Sequence, residues 1–213
     1  MISIESIEVI SLLSVWMLEP RIPELLLELK EKGYMIARVK PKSLGGYSLT
    51  FIEPNVIAIK DETQILYDPG RRTLTIEGSD TGKIFQTLDE VEETLKNTGS
   101  DPRKGVLFYE LRVKAKASGD KFVLSNTVKT SDLLGLDLAG VPISFVSADD
   151  DPNSTRWLHI QVRPIWTSWS DKKVRYEIIL LYRDEKEKLI NVLANTDSLL
   201  KEILKRISIS LKT

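Results

Sequence analysis

Two stretches of this chain, far apart in sequence, read as one structural unit written twice. Residues 65–80, ILYDPGRRTLTIEGSD, give a strand, a tight turn, a second strand and the start of a helix. Residues 180–197, LLYRDEKEKLINVLANTD, give the same order before another amphipathic helix. Aligned, Tyr67 falls on Tyr182 and Asp80 on Asp197, each Asp standing where a helix cap is wanted. In DPGR, Pro69 presets the dihedral of the second turn position and Gly70 suits a positive φ at the third.

The surrounding sequence extends the parallel. The first half opens with an Ile/Val/Leu-rich strand over 2–18, of the kind buried on both faces. IPELLLELKEKG then predicts a helix, with Pro23 in its first turn, Leu25, Leu26 and Leu29 on one face and Gly33 as the stop. Strands follow over 34–40, 47–52, 55–60, 63–67 and 72–77. The closing helix carries Ile84, Phe85, Leu88, Val91 and Leu95 on one stripe, and Thr87 with Glu90 offers a second start at Leu88. After the polar stretch NTGSDPRKG comes a long strand over 106–117 and a short helix over 130–140. Strands over 143–147, 156–166, 173–182 and 188–193 and a helix over 197–207 complete the second half. The expected fold is α+β: two similar halves, each an antiparallel sheet with helices on one face. The units are 1–98 and 105–213, joined by a linker at 99–104.

This order, strand–helix–meander–helix repeated, resembles the two-fold saddle of the TATA-box-binding-protein family. The nearest local likeness is QILYDPGRRTLTIEGSD entering a helix. In that family pairs of Phe wedge into the minor groove from the concave sheet face. Phe51, Phe85, Phe108, Phe122 and Phe145 are not symmetrically disposed here, so the resemblance implies a fold and transfers no functional residue.

Composition narrows the chemistry. At 213 residues, with 42% hydrophobic and 29% charged residues, the chain is globular and long enough for a duplicated domain. A net charge of -1 argues against a strongly basic nucleic-acid binder but leaves room for a local basic face. Without Cys there is no disulfide, thiolate nucleophile or zinc–cysteine site. His159 is the one imidazole, so the sequence calls for no catalytic residue, no metal and no cofactor. The apolar run from Val9 to Leu18 is too short for a bilayer, which takes roughly 20 residues, and it follows Glu5 and Glu8 rather than a basic leader. The expectation is a cytoplasmic protein with no membrane role. The lack of Cys, the scarcity of Gln and the abundance of Lys, Arg and Glu suit a thermophile.

Strand alternation nominates a site. Along 156–163, Leu158, Ile160 and Val162 point inward and leave Trp157, His159, Gln161 and Arg163 on the other face. Along 107–116, Leu111, Val113 and Ala115 point in and Arg112, Lys114 and Lys116 point out; Arg38 and Lys40 do likewise in the first half. On one sheet these residues make a basic face with an aromatic, suited to phosphate contact and base stacking. The same pattern also dresses an ordinary solvated sheet against aggregation.

The remaining motifs are weaker. Asp149, Asp151 and Asn153 begin with the spacing of a calcium loop, but Ser154 replaces its Gly and Ile160 its bidentate Glu. GSDTGKI is one residue short of a phosphate loop, with Ile84 where the magnesium-holding hydroxyl belongs. SLGGYS reads as a hairpin loop, and Trp166 and Trp169 as cover for an apolar patch or a pocket wall. The leading expectation is a non-enzymatic protein binding nucleic acid or another polyanion on its open sheet face. A homodimeric scaffold burying that face is the alternative, and a carrier of an apolar ligand between sheet and helices is a third. An enzyme would need a deep pocket where acidic groups meet His159.

Overall fold

The computed structural model describes residues 2–43, 45–120, 143–147 and 153–210, with backbone alone at 143 and 206–210. Strand β1, Ser3–Trp16, lies at the centre of the main sheet. Its Ile10, Leu12 and Trp16 are buried on one side, while Val9, Leu13 and Val15 remain partly exposed on the other. Its aliphatic run therefore belongs to a strand with one covered face, not to one buried on both.

Helix α1, Ile22–Glu31, follows with Leu25, Leu26 and Leu29 buried, and Gly33 leaves it at φ 88°. The strand expected over 34–40 is broken in two. Met35–Ile36 (β2) joins the main sheet, and the chain turns at buried Ala37, whose N–H donates to Ile57 O at 2.8 Å. Arg38–Pro41 (β3) pairs instead with Tyr47–Thr50 (β4) in a separate two-stranded sheet. Then come β5 (Val56–Lys60), β6 (Thr63–Asp68) and β7 (Thr73–Gly78).

The β6–β7 turn departs from expectation. The Asp68 carboxylate accepts from the N–H of Gly70 at 2.9 Å and of Arg71 at 3.2 Å, which tightens the turn. The left-handed residue is Arg72, at φ 52°, rather than Gly70. Helix α2, Thr81–Asn97, begins at the earlier of the two candidate starts because Asp80 caps it, accepting from Lys83 N–H at 3.0 Å. Thr87 is buried within α2. A single turn of helix, α3 (Pro102–Gly105), leads into β8 (Val106–Gly119).

The helix expected over 130–140 lies outside the described residues. Strands β9 (Ile143–Val146), β10 (Trp157–Pro164) and β11 (Val174–Asp184) follow, then α4 (Lys186–Ala194) and α5 (Thr196–Ser210). The segment read as a strand over 188–193 is thus helical. Leu189 and Leu193, one turn apart, are the residues α4 buries. Asp197 does not cap α5; it sits in the first turn, paired with Lys201.

Among the described residues nine strands form one antiparallel sheet in the order β2-β5-β6-β7-β1-β8-β11-β10-β9. Tyr67 lies on β6 and Tyr182 on β11, and it is β7, not β6, that holds the place beside β1 that β11 holds beside β8. The likeness of the two quoted stretches is therefore one of letters, not of position. The buried residues of β1, β6, β7, β8 and β11 form a single core cluster with α1, α2, α4 and the described part of α5. Two bridges tie helix to helix and sheet on that side: Glu92 of α2 accepts from Tyr109 of β8 at 3.0 Å and pairs with Lys186 of α4. Among the described residues no helix is long and apolar enough to cross a membrane.

Candidate functional site

The helices described here pack on one face of the sheet, and the register arranges the other face, helix-free among the described residues, in rows. Lys116, Glu177 and Arg163 stand opposite one another across β8, β11 and β10. The next row runs Val9, Lys114, Ile179, Gln161 and Ser144, and the third Glu77, Ser11, Arg112, Leu181, His159 and Val146. A fourth places Thr75, Leu13, Glu110, Arg183 and Trp157 in line. The fifth holds Thr73, Val15 and Phe108.

Seven of the nine residues named from sequence therefore share one face: Arg112, Lys114 and Lys116 on β8, and Trp157, His159, Gln161 and Arg163 on β10. Arg38 and Lys40 do not join them. Their strand β3 belongs to the separate hairpin, because the chain leaves the main sheet at Ala37.

Between the two nominated strands lies β11, about 5 Å from each, and its side chains change the character of the face. Glu177, only 13% exposed, accepts from Lys114 Nζ at 2.9 Å and pairs with Arg163. Glu8, displaced by a bulge in β1, pairs with Lys116 and lies 3.5 Å from Lys114. Glu110 is 3% exposed, and its two oxygens take Arg112 and Arg183 at 2.7 Å each. The expected basic face is a lattice of alternating signs.

The electrostatics follow from that lattice. Burial works against ionisation of Glu177, but Lys114 and Arg163 outweigh it and hold its carboxyl below the usual range. Lys116, with Lys114 behind it, does the same for half-buried Glu8 against a smaller desolvation effect. Glu177 in turn raises Lys114.

The aromatic end is partly enclosed. The Trp157 ring lies 5.5 Å from that of His159, tilted by 32°. The indole N–H of Trp157 is buried and has no hydrogen-bond partner among the described residues. His159 Nε2 is 2.9 Å from Ser144 Oγ, an exposed pair, and among the described residues no carboxylate contacts the ring as the third member of a triad would. The Trp166 and Trp169 rings lie 5.4 Å apart, inclined at 59°, in the β10–β11 connection; Trp169 packs against the core and Trp166 is 62% exposed.

Two further expectations concern other places. Asp149 and Asp151 lie outside the described residues; among those described no three Asp, Glu or His side chains are grouped to hold a metal ion. The void between α2 and the sheet measures about 20 Å³, room for one water and not for an apolar ligand.

Sequence reasoning missed Glu8, Glu110, Glu177 and Arg183. Glu177 and Arg183 share one face of β11 by simple alternation, but the run Ile178-Ile179-Leu180-Leu181 hides that period. No protein-family model matches this chain, and no curated protein matches it in sequence.

Proposed function

We propose that this is a non-enzymatic interaction protein that assembles as a homodimer, with the second copy seated on the first two rows of the helix-free face. The observation that carries the reading is the cross-strand row Lys116–Glu177–Arg163, in which opposite charges alternate and are already paired within one chain. A phosphate backbone arriving here would have to displace Glu8 and Glu177 from Lys114, Lys116 and Arg163, which weakens the expected polyanion reading. A second copy related by a two-fold axis brings the same patch against itself, so carboxylates of one face meet cations of the other. Val9, 38% exposed, and half-buried Ile179 supply apolar contact beside the charges.

The proposal includes a duplicated origin for the fold. Outward from the central β1–β8 pair, each side places its unit's last strand first, β7 or β11, then the strand before it, β6 or β10, and then β5 or β9. The resemblance to the TATA-box-binding-protein family belongs with this reading and transfers no residue.

Sedimentation equilibrium tests it. The expected mass is twice the 24.2 kDa chain, and Glu177→Lys, with melting followed on the same samples to confirm a folded chain, shifts it to the monomer. A wild-type monomer at about 100 μM, with oligonucleotide binding that falls steeply as salt rises, would put the polyanion reading in its place.

A further inference from the structure

Beyond the two rows assigned to the dimer, the helix-free face dips into a trough of about 380 Å³. That is within the size range of small-molecule sites. Half-buried Leu13 and Val15 of β1, Leu66 of β6 and Phe108 of β8 make its apolar lining, and Glu110, Arg112 and Arg183 stand together in its wall.

The polar end is held rigidly. Arg183 donates through Nη2 to Glu110 at 2.7 Å and through Nη1 to Ser154 O at 2.9 Å, and its guanidinium lies 4.5 Å from the Phe108 ring centroid. Arg112 is tethered differently. Both its Nε and Nη2 reach the same oxygen, Glu110 Oε1, at 2.7 Å. Its side chain is 54% exposed, and its Nη1 has no partner among the described residues. Two guanidiniums share one buried carboxylate, and that of Arg112 is the exposed one, standing beside an apolar surface. At the other end of the trough Asp68 and Arg71 oppose each other at 3.8 Å.

We infer that this trough binds an amphipathic monocarboxylate: an apolar or aromatic body against Leu13, Val15, Leu66 and Phe108, with its carboxylate on Arg112. A guanidinium suits a carboxylate because parallel N–H donors match its two oxygens. A second acidic group on the ligand would meet Asp68. Two sources share this chemistry, a small free acid and the C-terminal residue of a peptide.

The test uses the full chain and the side-chain NMR signals of Leu13, Val15, Leu66 and Phe108. The probes are 3-phenylpropionate and its amide, and a tripeptide ending in Phe with a free or an amidated C-terminus. The acids are expected to shift these signals with millimolar or tighter affinity, and the amides to bind about tenfold more weakly. Arg112→Gln is expected to weaken acid binding by about the same factor, while Lys40→Gln on the separate hairpin leaves it unchanged. The tighter of the two acids assigns the source. Acid and amide binding equally well to wild type, or signals unmoved by both acids at about 10 mM, overturns the inference whatever the variants do.

Discussion

Lys114 Nζ lies 2.9 Å from Glu177 Oε1, a diagonal contact between β8 and β11 that places a carboxylate in the middle of a surface the sequence presents as basic. Since Arg163 holds the same carboxyl from β10, the folded state binds a proton on Glu177 less readily than the unfolded chain does. Its contribution is therefore present above the ordinary carboxylate value of about 4.3 and is lost as pH falls through the lower folded value. Thermal melts between neutral pH and pH 3 should show wild type losing its margin over Glu177→Gln in that acid window. A margin that is constant with pH would contradict the pairing.

Glu110 carries the heavier structural load. Its 3% exposed carboxylate faces two arginines, so Glu110→Ala strands Arg183, itself 14% exposed, and is expected to cost about 3 kcal/mol. The pair replacement Glu110→Leu with Arg183→Met should recover much of that loss, because it removes both buried charges together. A double-mutant cycle in denaturant measures the coupling, and a value near zero would show the pair to be idle.

Gly105 is required for space rather than for conformation. A Cβ there would lie 2.8 Å from Trp16 Cζ3 and 2.9 Å from Cε3. The indole has little room to move: it is buried, and its Nε1 donates to Ser14 Oγ at 3.0 Å. Gly105→Ala is expected to lower stability by about 1–3 kcal/mol, read as a lower denaturant midpoint. An unchanged midpoint would mean that Trp16 yields freely.

The tyrosines set an alkaline limit. Burial first, and then Glu19, Glu90 or Glu92 beside them, push the phenols of Tyr34, Tyr47, Tyr67 and Tyr109 well above their ordinary range; burial and Asp184 raise Tyr182 to about 12. A folded phenol with a raised value contributes stability below pH ~10 that is lost as pH rises toward the folded value. Absorbance at 295 nm should therefore show these five silent near pH 10 and rising together with unfolding above it. Gradual ionisation in a still-folded protein would contradict their burial.

Much of the local structure is legible because local rules decide it. The Leu25, Leu26 and Leu29 face, the Asp80 cap and the alternation of β8 and β10 each need only a few neighbouring residues. Elsewhere local rules leave two answers. KLINVL, residues 188–193, satisfies a strand by composition and a helix by the Leu189–Leu193 spacing, and packing chooses the helix. The β6–β7 turn offers Gly70 for the left-handed position, yet the Asp68 hydrogen bonds and strand register place it at Arg72.

By itself, then, the sequence determined the α+β class, most element positions, and which side chains of β8 and β10 share a face, since period and capping are properties of adjacent residues. Only the tertiary structure decided that β1 and β8 join the strands into one sheet, that β11 slots between the two nominated strands, and that Arg38 and Lys40 leave for a hairpin. The sign of a surface depends on which strands become neighbours. Long-range pairing sets Glu177 beside Lys114, and spacing along a single strand carries no information about that.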